Sequence, residues 1–337
     1  MNLARFRFAL PLVVLASAGA YALQAVKVDP KLPEYKVVSG VSGNIKSIGS
    51  DTLNNLMTLW TEGFKKLYPA VSTEVEGKGS TTAPPALIEG TANFGPMSRE
   101  MKKQEIDDFE KKFGYKPTAI PTAVDMLAVY VHKDNPIQSL TMAQVDAIFS
   151  KTRKGNHESD IATWGQLGLV GEWADKPISL YGRNSASGTY GYFKEHALFK
   201  GDFKDSVKEQ PGSSSVVQGI ATDKYAMGYS GIGYMTADVR AVPLMKDAKS
   251  AAVEATPENA YSGKYPLARL LLVYINYKPG SEIDPLRREF LKYVLSKQGQ
   301  EDVVKDGYYP LPSKIAFDTL KRIGVAAEAA VEAGAAK

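Results

Sequence analysis

Small hydroxyl residues stand beside glycine in residues 183–189, where an apolar segment leads into a predicted helix. The first turn of a helix presents backbone N–H groups without internal partners, and its dipole favours negative charge. Ser187 and Thr189 add hydroxyl groups, and Gly188 lets a ligand approach the backbone closely. Arg183 supplies a planar fork suited to a tetrahedral oxyanion. The segment therefore predicts one wall of an oxyanion site.

Three earlier junctions, at residues 49–52, 77–82 and 94–99, also place hydroxyl residues between a short strand and a helix. Strands that alternate with helices are typical of an α/β fold with a largely parallel sheet. Ligands of such sheets bind beyond the carboxyl ends of the strands, where these junctions lie. A serine N-cap beside a surface arginine would also explain residues 183–189. That motif by itself leaves both interpretations open.

The elements that must hold these junctions are predicted from apolar periodicity and from helix breakers. Helices are predicted over residues 53–67, 84–89, 100–113, 142–149 and 285–295, with another beginning at 213. Strands are predicted over residues 43–48, 71–76, 225–229 and 267–276, and residues 118–131 predict two buried strand pieces around Asp125. This order of elements supports the α/β assignment.

Composition restricts the class of protein. The chain has 337 residues, of which 44% are hydrophobic and 23% charged, as in ordinary globular proteins. This length favours two domains. The formal net charge of +4 is small and its basic residues are dispersed, so we expect no nucleic-acid partner.

Residues 1–25 have the features of a signal peptide. Arg5 and Arg7 precede an apolar segment over 8–18, and small residues follow, with cleavage expected after Ala22 or Ala25. The chain contains no cysteine, which excludes disulfides and a lipidated cysteine. We therefore expect an exported protein without a lipid anchor, in the periplasm or secreted.

Four segments in order, residues 48–52, 77–81, 94–99 and 182–189, resemble the phosphate-binding proteins that feed phosphate ABC transporters. Further similar segments follow at residues 225–234, 265–269, 299–301 and 307–311. The resemblance implies a two-lobed periplasmic-binding-protein fold, each lobe a mixed β-sheet flanked by helices, joined by a two-strand hinge. It assigns residues 26–124 and 266–337 to lobe I and residues 125–265 to lobe II.

The resemblance also implies the ligand, the partners and the binding residues. The ligand is inorganic phosphate, the partners are membrane permease subunits, and the protein is a monomeric binding protein, not an enzyme, without cofactor or metal. The phosphate-binding residues it implies are Ser50, Asp51, Thr52, Ser80, Thr81, Ser98, Arg99, Arg183, Ser187, Gly188 and Thr189.

The third segment departs from the family, because Ser98 stands where many members have an aspartate. Phosphate near neutral pH carries a proton and sulfate does not, so a phosphate site needs a hydrogen-bond acceptor facing that proton. An ionised carboxylate can only accept, and it disfavours a fully deprotonated anion. We expect Asp51 to take this role. Alternatively, Asp51 only caps the helix that follows it.

Arg99 has two interpretations. It is either a second cationic ligand of the anion, or it pairs with Glu100 or Asp125 at the rim of the cleft. Two buried arginines and an aspartate would roughly balance a doubly charged phosphate, and burial of an uncompensated charge is costly. We therefore keep Arg99 in the predicted ligand set.

Two other functions compete. A serine hydrolase would need a positioned base, but His132, His157 and His196 lie in no Gly-x-Ser-x-Gly elbow and in no metal-ligand pattern. A phosphate-ester hydrolase is therefore disfavoured. A binding protein for sulfate, molybdate or a phosphorylated small molecule would keep the same fold, and Ser98 leaves that alternative open.

Overall fold

The computed structural model describes residues 26–325. The predicted signal peptide over residues 1–25 and the Ala/Glu-rich segment from residue 326 onward lie outside this range. Within it, every helix is too short or too polar to cross a bilayer.

Eleven strands form the sheets of residues 26–325. They are β1 (Gly43–Ile48), β2 (Val71–Glu76), β3 (Gly95–Met97), β4 (Thr118–His132), β5 (Leu140–Thr141), β6 (Ser179–Arg183), β7 (Lys208–Gln210), β8 (Ala226–Gly231), β9 (Val239–Ala241), β10 (Leu244–Met245) and β11 (Ala268–Ile275).

Ten α-helices flank these strands in the described range. They are α1 (Asn54–Leu67), α2 (Ala83–Glu89), α3 (Lys103–Phe113), α4 (Met142–Phe149), α5 (Gly188–His196), α6 (Ser213–Ala221), α7 (Pro257–Tyr261), α8 (Pro285–Val294), α9 (Lys297–Lys305) and α10 (Ser313–Arg322). Short 3-10 turns precede α1 (Asp51–Leu53) and α2 (Ser80–Thr82).

A mixed sheet runs through the centre of the molecule. Its strand order is β3-β11-β4-β8-β6-β7, and β9 also pairs with β4. β1 and β2 form a parallel pair, and a parallel bridge from Ser47 to Phe94 joins β1 to the chain that enters β3. The predicted α/β class and the two-lobed fold are confirmed.

Strand β4 passes from one lobe to the other. Residues 118–126 pair with β11, and residues 127–131 pair with β8. The expectation of two pieces interrupted at Asp125 is wrong, because β4 is one strand of 15 residues. The Asp125 carboxylate is paired with Arg269 on β11 (2.8 Å), so the charge does not break the strand. The lobe boundaries near residues 124 and 266 stay predictions, and lobe I and lobe II below name the two sets of residues that these predicted boundaries separate.

A third segment accompanies β4 and β11 at the crossing. The Val124 and Tyr309 backbones exchange two hydrogen bonds, of 2.9 and 3.0 Å. The chain therefore has a further contact with β4 beyond the two-strand hinge expected from the resemblance.

Lobe I is built around the amphipathic helix α1. Trp60 and Phe64 are completely buried, and the Trp60 indole N–H donates to the Gly299 carbonyl in α9 (2.7 Å). The predicted helix over 100–113 begins three residues late, at Lys103. Its Glu105 carboxylate caps the Lys102 backbone N–H (2.7 Å), so the three residues before α3 stay outside the helix.

Candidate functional site

Four buried hydroxyl side chains from different segments meet between the lobes. Thr52 and Thr189 lie 2.9 Å apart at their Oγ1 atoms, Ser98 Oγ is 3.3 Å from Thr189 Oγ1, and Ser80 Oγ is 3.3 Å from Ser98 Oγ. Each of these residues is at most 1% exposed. We call Thr52, Ser80, Ser98 and Thr189 the hydroxyl cluster. The sequence placed all four in the binding set, and the structure brings them together.

Strand ends position the cluster. Thr52, Ser80 and Ser98 follow β1, β2 and β3, while Thr189 lies in the first turn of α5, beyond β6. Parallel pairing of β1 with β2, and the parallel bridge from β1 toward β3, bring the carboxyl ends of these strands to one edge. Lobe I thus supplies three loops and lobe II supplies one helix start.

Tyrosine hydroxyls hold the first of these loops in place. Tyr308 donates to the Thr52 carbonyl (2.8 Å), and Tyr234, from lobe II, donates to the Asp51 carbonyl (3.0 Å). Ser50 is also buried, and its backbone N–H donates to the Pro96 carbonyl (2.8 Å). The loop is therefore fixed through its backbone, which leaves the Thr52 side chain directed into the cluster.

Two glycines allow the lobes to approach each other at the cluster. A Cβ placed on Gly188 would overlap Ser80 Oγ and lie 2.7 Å from Ser98 Oγ. Gly79 has a φ of +109°, and a Cβ there would lie 2.5 Å from the Ala186 carbonyl oxygen. Thr81 donates to the same Ala186 oxygen from both its backbone N–H (3.2 Å) and its hydroxyl (3.1 Å). The Thr81 hydroxyl proton is therefore already donated to the opposite lobe and is not directed at a ligand.

Ser187 caps α5. Its Oγ accepts from the backbone N–H groups of Thr189 (3.1 Å) and Tyr190 (3.4 Å). The alternative interpretation of a serine N-cap is thus correct for Ser187. The same interpretation placed Arg183 on the surface, and this part is wrong because Arg183 is only 1% exposed.

Arg183 is buried beside Asp51, with most of its donors engaged. Nη1 donates to Ser213 Oγ (2.7 Å) and lies 3.2 Å from Asp51 Oδ2, while Nη2 donates to the Pro211 carbonyl (3.0 Å). Burial lowers the pKa of the guanidinium and the nearby Asp51 opposes this shift, but an arginine remains charged. Its Nε is buried without a partner among the described residues.

Asp51 links the lobes through one carboxylate oxygen. Oδ2 accepts from the Ser213 backbone N–H (2.9 Å), at the first residue of α6 in lobe II, and pairs with Arg183. The alternative that Asp51 caps its own following helix is wrong, since no side-chain cap occurs at that turn. Oδ1 receives no hydrogen bond from the described residues, so it can accept from a ligand.

Arg99 pairs with neither predicted carboxylate. Its Nη1 and Nη2 donate to the two oxygens of Glu105 (2.8 and 2.7 Å), and Nη1 also donates to the Glu100 carbonyl. Asp125 instead pairs with Arg269. Glu105 is held close to Arg99 because its carboxylate also caps the start of α3. The sequence did not reveal this cap.

Arg269 is the site residue that the sequence analysis missed. From β11 it donates to Asp125 Oδ2 (Nε, 2.9 Å), to the Ser98 carbonyl (Nη1, 2.7 Å) and to Thr189 Oγ1 (Nη2, 3.0 Å). A single arginine within an otherwise apolar predicted strand was the available signal, because such a residue is buried only when it is paired.

The histidines lie outside the hydroxyl cluster. His132 lies near Asp134 (3.6 Å), His157 contacts the Ser159 carbonyl, and His196 packs on the Tyr192 ring. In residues 26–325, no group of three His, Asp or Glu side chains is arranged to hold a metal ion.

Each of the three arginines near the cluster has its own carboxylate. The pairs are Arg183 with Asp51, Arg269 with Asp125 and Arg99 with Glu105. The formal charges of these pairs cancel. What the cluster offers is therefore a set of buried neutral donors in a low-dielectric site, where hydrogen bonds to an anion are strong. The geometry is that of a binding site for a small tetrahedral oxyanion.

Comparison with known proteins places this fold and site in a class. The family described as "PBP superfamily domain" matches residues 37–298. A crystal structure from Clostridium perfringens, of a protein described as a phosphate ABC transporter substrate-binding protein with bound phosphate, superposes with a TM-score of 0.68 at 26% identity, over 80% of this chain and 100% of that one.

Two curated relatives identify the family. The phosphate-binding protein PstS of Pseudomonas aeruginosa is 58% identical over 96% of this chain and 100% of its own length. PstS of Staphylococcus haemolyticus is 30% identical over 83% of this chain and 85% of its own length. The chain belongs to the PBP superfamily and, within it, to the family of PstS phosphate-binding proteins. Membership of a family of binding proteins supports the expectation that the chain is not an enzyme.

Proposed function

We propose that this protein binds inorganic phosphate between its two lobes and delivers it to a phosphate ABC transporter. The observation that carries the proposal is the hydroxyl cluster, in which each hydroxyl oxygen lies within 3.3 Å of at least one other and all four are shielded from water. The names and functions of the PstS relatives support phosphate as the ligand.

The hydroxyl cluster supplies four donors to the anion in this proposal, and the backbone at Gly188 and the buried Nε of Arg183 supply two more. An unpartnered buried donor points to a ligand. Lobe closure excludes water, which strengthens each hydrogen bond. Ser50, Thr81, Arg99 and Ser187 hold the surrounding loops and helix start.

Asp51 provides the acceptor for the phosphate proton in this proposal. Its Oδ2 is held by Ser213 and Arg183, which fixes the carboxylate, and Oδ1 accepts from the ligand. Sulfate has no proton to offer, so its oxygens would face the carboxylate unpaired. This arrangement compensates for Ser98, which stands where many relatives carry an aspartate.

We also propose export to the periplasm as a monomer without a lipid anchor, and docking to the membrane permease subunits of the transporter. The signal-peptide pattern over residues 1–25 and the absence of cysteine support this placement.

Calorimetric titration of the mature chain, from residue 26 onward, tests the function. We expect one phosphate to bind per chain and sulfate and molybdate to compete weakly. Incubation with a chromogenic phosphate ester should give no turnover. Tighter binding of sulfate or molybdate than of phosphate would contradict the ligand assignment, and ester turnover would contradict the binding role.

A further inference from the structure

Arg269 contacts several elements of the site through one side chain. Its Nε and Nη2 lie 2.9 and 2.8 Å from Asp125 Oδ2, Nη1 donates to the Ser98 carbonyl, and Nη2 donates to Thr189 Oγ1. Asp125 lies on β4 and is itself held by the Ile232 backbone N–H (3.0 Å). One guanidinium thus spans both crossing strands, the third loop of lobe I and the start of α5.

The hydrogen bond from Arg269 determines where the hydroxyl hydrogen of Thr189 can point. A hydroxyl has one hydrogen and two lone pairs. Arg269 can only donate, so it occupies a lone pair of Thr189 Oγ1. The Thr189 hydrogen must then point elsewhere, into the cluster with Thr52 and Ser98. The contact presents Thr189 to a ligand as a donor.

Arg269 does not act as a free cation. Its side chain is 2% exposed, and the Asp125 side chain that neutralises it is completely buried. Nη2 donates to Thr189 Oγ1 and lies 2.8 Å from Asp125 Oδ2 within the ion pair. The Tyr192 ring covers the guanidinium at 5.2 Å, and its hydroxyl is tied to the Ala268 carbonyl. The surroundings therefore hold the guanidinium in one orientation.

We propose that Arg269 is a positioning residue of the anion site, which orients the Thr189 hydroxyl as a donor to the ligand. This inference rests on the proposed function, since it assumes an anion bound at the hydroxyl cluster.

A double-mutant cycle in the full mature chain tests the proposal by calorimetry. Arg269→Lys keeps the charge but loses the planar fork, and we expect the phosphate Kd to rise about 10- to 100-fold. Thr189→Val should raise Kd by a similar factor, whereas Thr189→Ser should bind nearly as well as wild type. When Thr189→Val is already present, adding Arg269→Lys should raise the phosphate Kd by a further factor of less than about 3.

Arg240→Lys is the matched control. Arg240 is half-buried on β9 and donates to the carbonyls of Asn135 and Ile137, away from the cluster. This control should lower the midpoint of urea unfolding and leave Kd unchanged. Independent, additive losses for Arg269→Lys and Thr189→Val would overturn the proposal, as would an unchanged Kd in Arg269→Lys.

The wild-type titration separates this inference from the proposed function. If wild type prefers sulfate, the phosphate assignment fails, and the same cycle with sulfate still decides the role of Arg269. If Arg269→Lys does not fold, equal affinities for Thr189→Val and wild type overturn the proposal without it. A wild-type protein that binds no oxyanion overturns both proposals.

Discussion

Single residues in this site act through the direction of their hydrogen atoms more than through net charge. Each of three arginines, Arg183, Arg269 and Arg99, is paired with a carboxylate. Because the charges of each pair cancel, these arginines serve mainly to orient the groups around the anion. A hydrogen bond to a charged group contributes about 1.5 to 3 kcal/mol net. Several such bonds from neutral hydroxyls and backbone are enough to hold an oxyanion without an excess of positive charge.

Asp51→Asn tests selectivity at the residue scale. The amide keeps the shape of the side chain but adds a donor, so it no longer rejects an anion without a proton. We expect phosphate affinity to fall about 10-fold and sulfate affinity to rise. Calorimetric titration with both anions at neutral pH measures the ratio.

Asp284→Asn is the control for this substitution. Asp284 caps α8 by accepting from the Arg287 backbone N–H (3.0 Å), and it is not one of the predicted phosphate-binding residues. Asparagine caps a helix about as well as aspartate, so this substitution should change stability by less than about 1 kcal/mol and leave selectivity unchanged. If Asp51→Asn behaved in the same way, with its preference for phosphate over sulfate intact, the acceptor role would be wrong.

At the scale of elements, the site consists of strand ends facing one helix start. The beginning of α5 enters between the loops of lobe I because Gly188 has no side chain, and Ser80 and Ser98 fill the space that a Cβ would need. Helix propensity alone would favour alanine over glycine at this position. Close packing between the lobes decides against it.

Gly188→Ala should therefore prevent full closure. We expect phosphate affinity to fall by about 30-fold or more, because closure would force a steric overlap costing at least 2 kcal/mol. The fold of each lobe should persist, with a circular dichroism spectrum like that of wild type. Small-angle scattering should show less compaction on addition of phosphate.

Gly191→Ala, one turn further along α5, provides the comparison. A Cβ there would lie 3.2 Å from Arg99 Cδ, a contact that a shift of a few tenths of an ångström relieves, so affinity should stay within about 3-fold of wild type. Equal affinities for the Gly188 variant and wild type would show that the lobes do not approach each other here when ligand binds.

At the scale of the whole molecule, the central sheet continues from one lobe into the other through β4. The segment after α9 packs on lobe II beside this crossing, where Gly307 lies close to Gly233. Asp306 lies in this segment, and its Oδ2 is buried without a partner among residues 26–325. Burial raises the pKa of Asp306 to about 7.

This pKa gives a prediction for stability against pH. The folded state keeps a proton on Asp306 between about pH 4 and pH 7, whereas the unfolded chain has lost it. The contribution of Asp306 to stability therefore falls as pH rises through this window. We expect Asp306→Asn to raise the free energy of unfolding at pH 8 by about 1 to 2 kcal/mol, a value reduced for the partial exposure of the group.

At pH 4 the same substitution should change little, since Asp306 is then neutral in the folded state and the unfolded chain has only begun to lose the proton. Urea unfolding at the two pH values, without phosphate, measures the difference. Asp205→Asn, at a side chain that is 91% exposed, should show no such gain at pH 8. A gain at pH 4 as large as that at pH 8 would refute the titration of Asp306 as its cause.

The sequence by itself determined the α/β class and most elements, because apolar periodicity and breakers act locally. Strand β2 and helix α4 begin and end where they were predicted. Family resemblance also supplied the four hydroxyl residues, since each lies at a recognisable strand-to-helix junction. Residues 100–102 failed to continue the predicted helix because a side-chain cap at Glu105 outweighed local propensity.

Only the tertiary structure decided which charges pair. Arg269 with Asp125, and Asp51 with Ser213 in the opposite lobe, join residues 144 and 162 positions apart. Such contacts depend on how β4 and β11 cross and on how far the lobes close, and no local pattern encodes these distances. The donors of the site could be predicted from the sequence, whereas their orientation depends on the assembled fold.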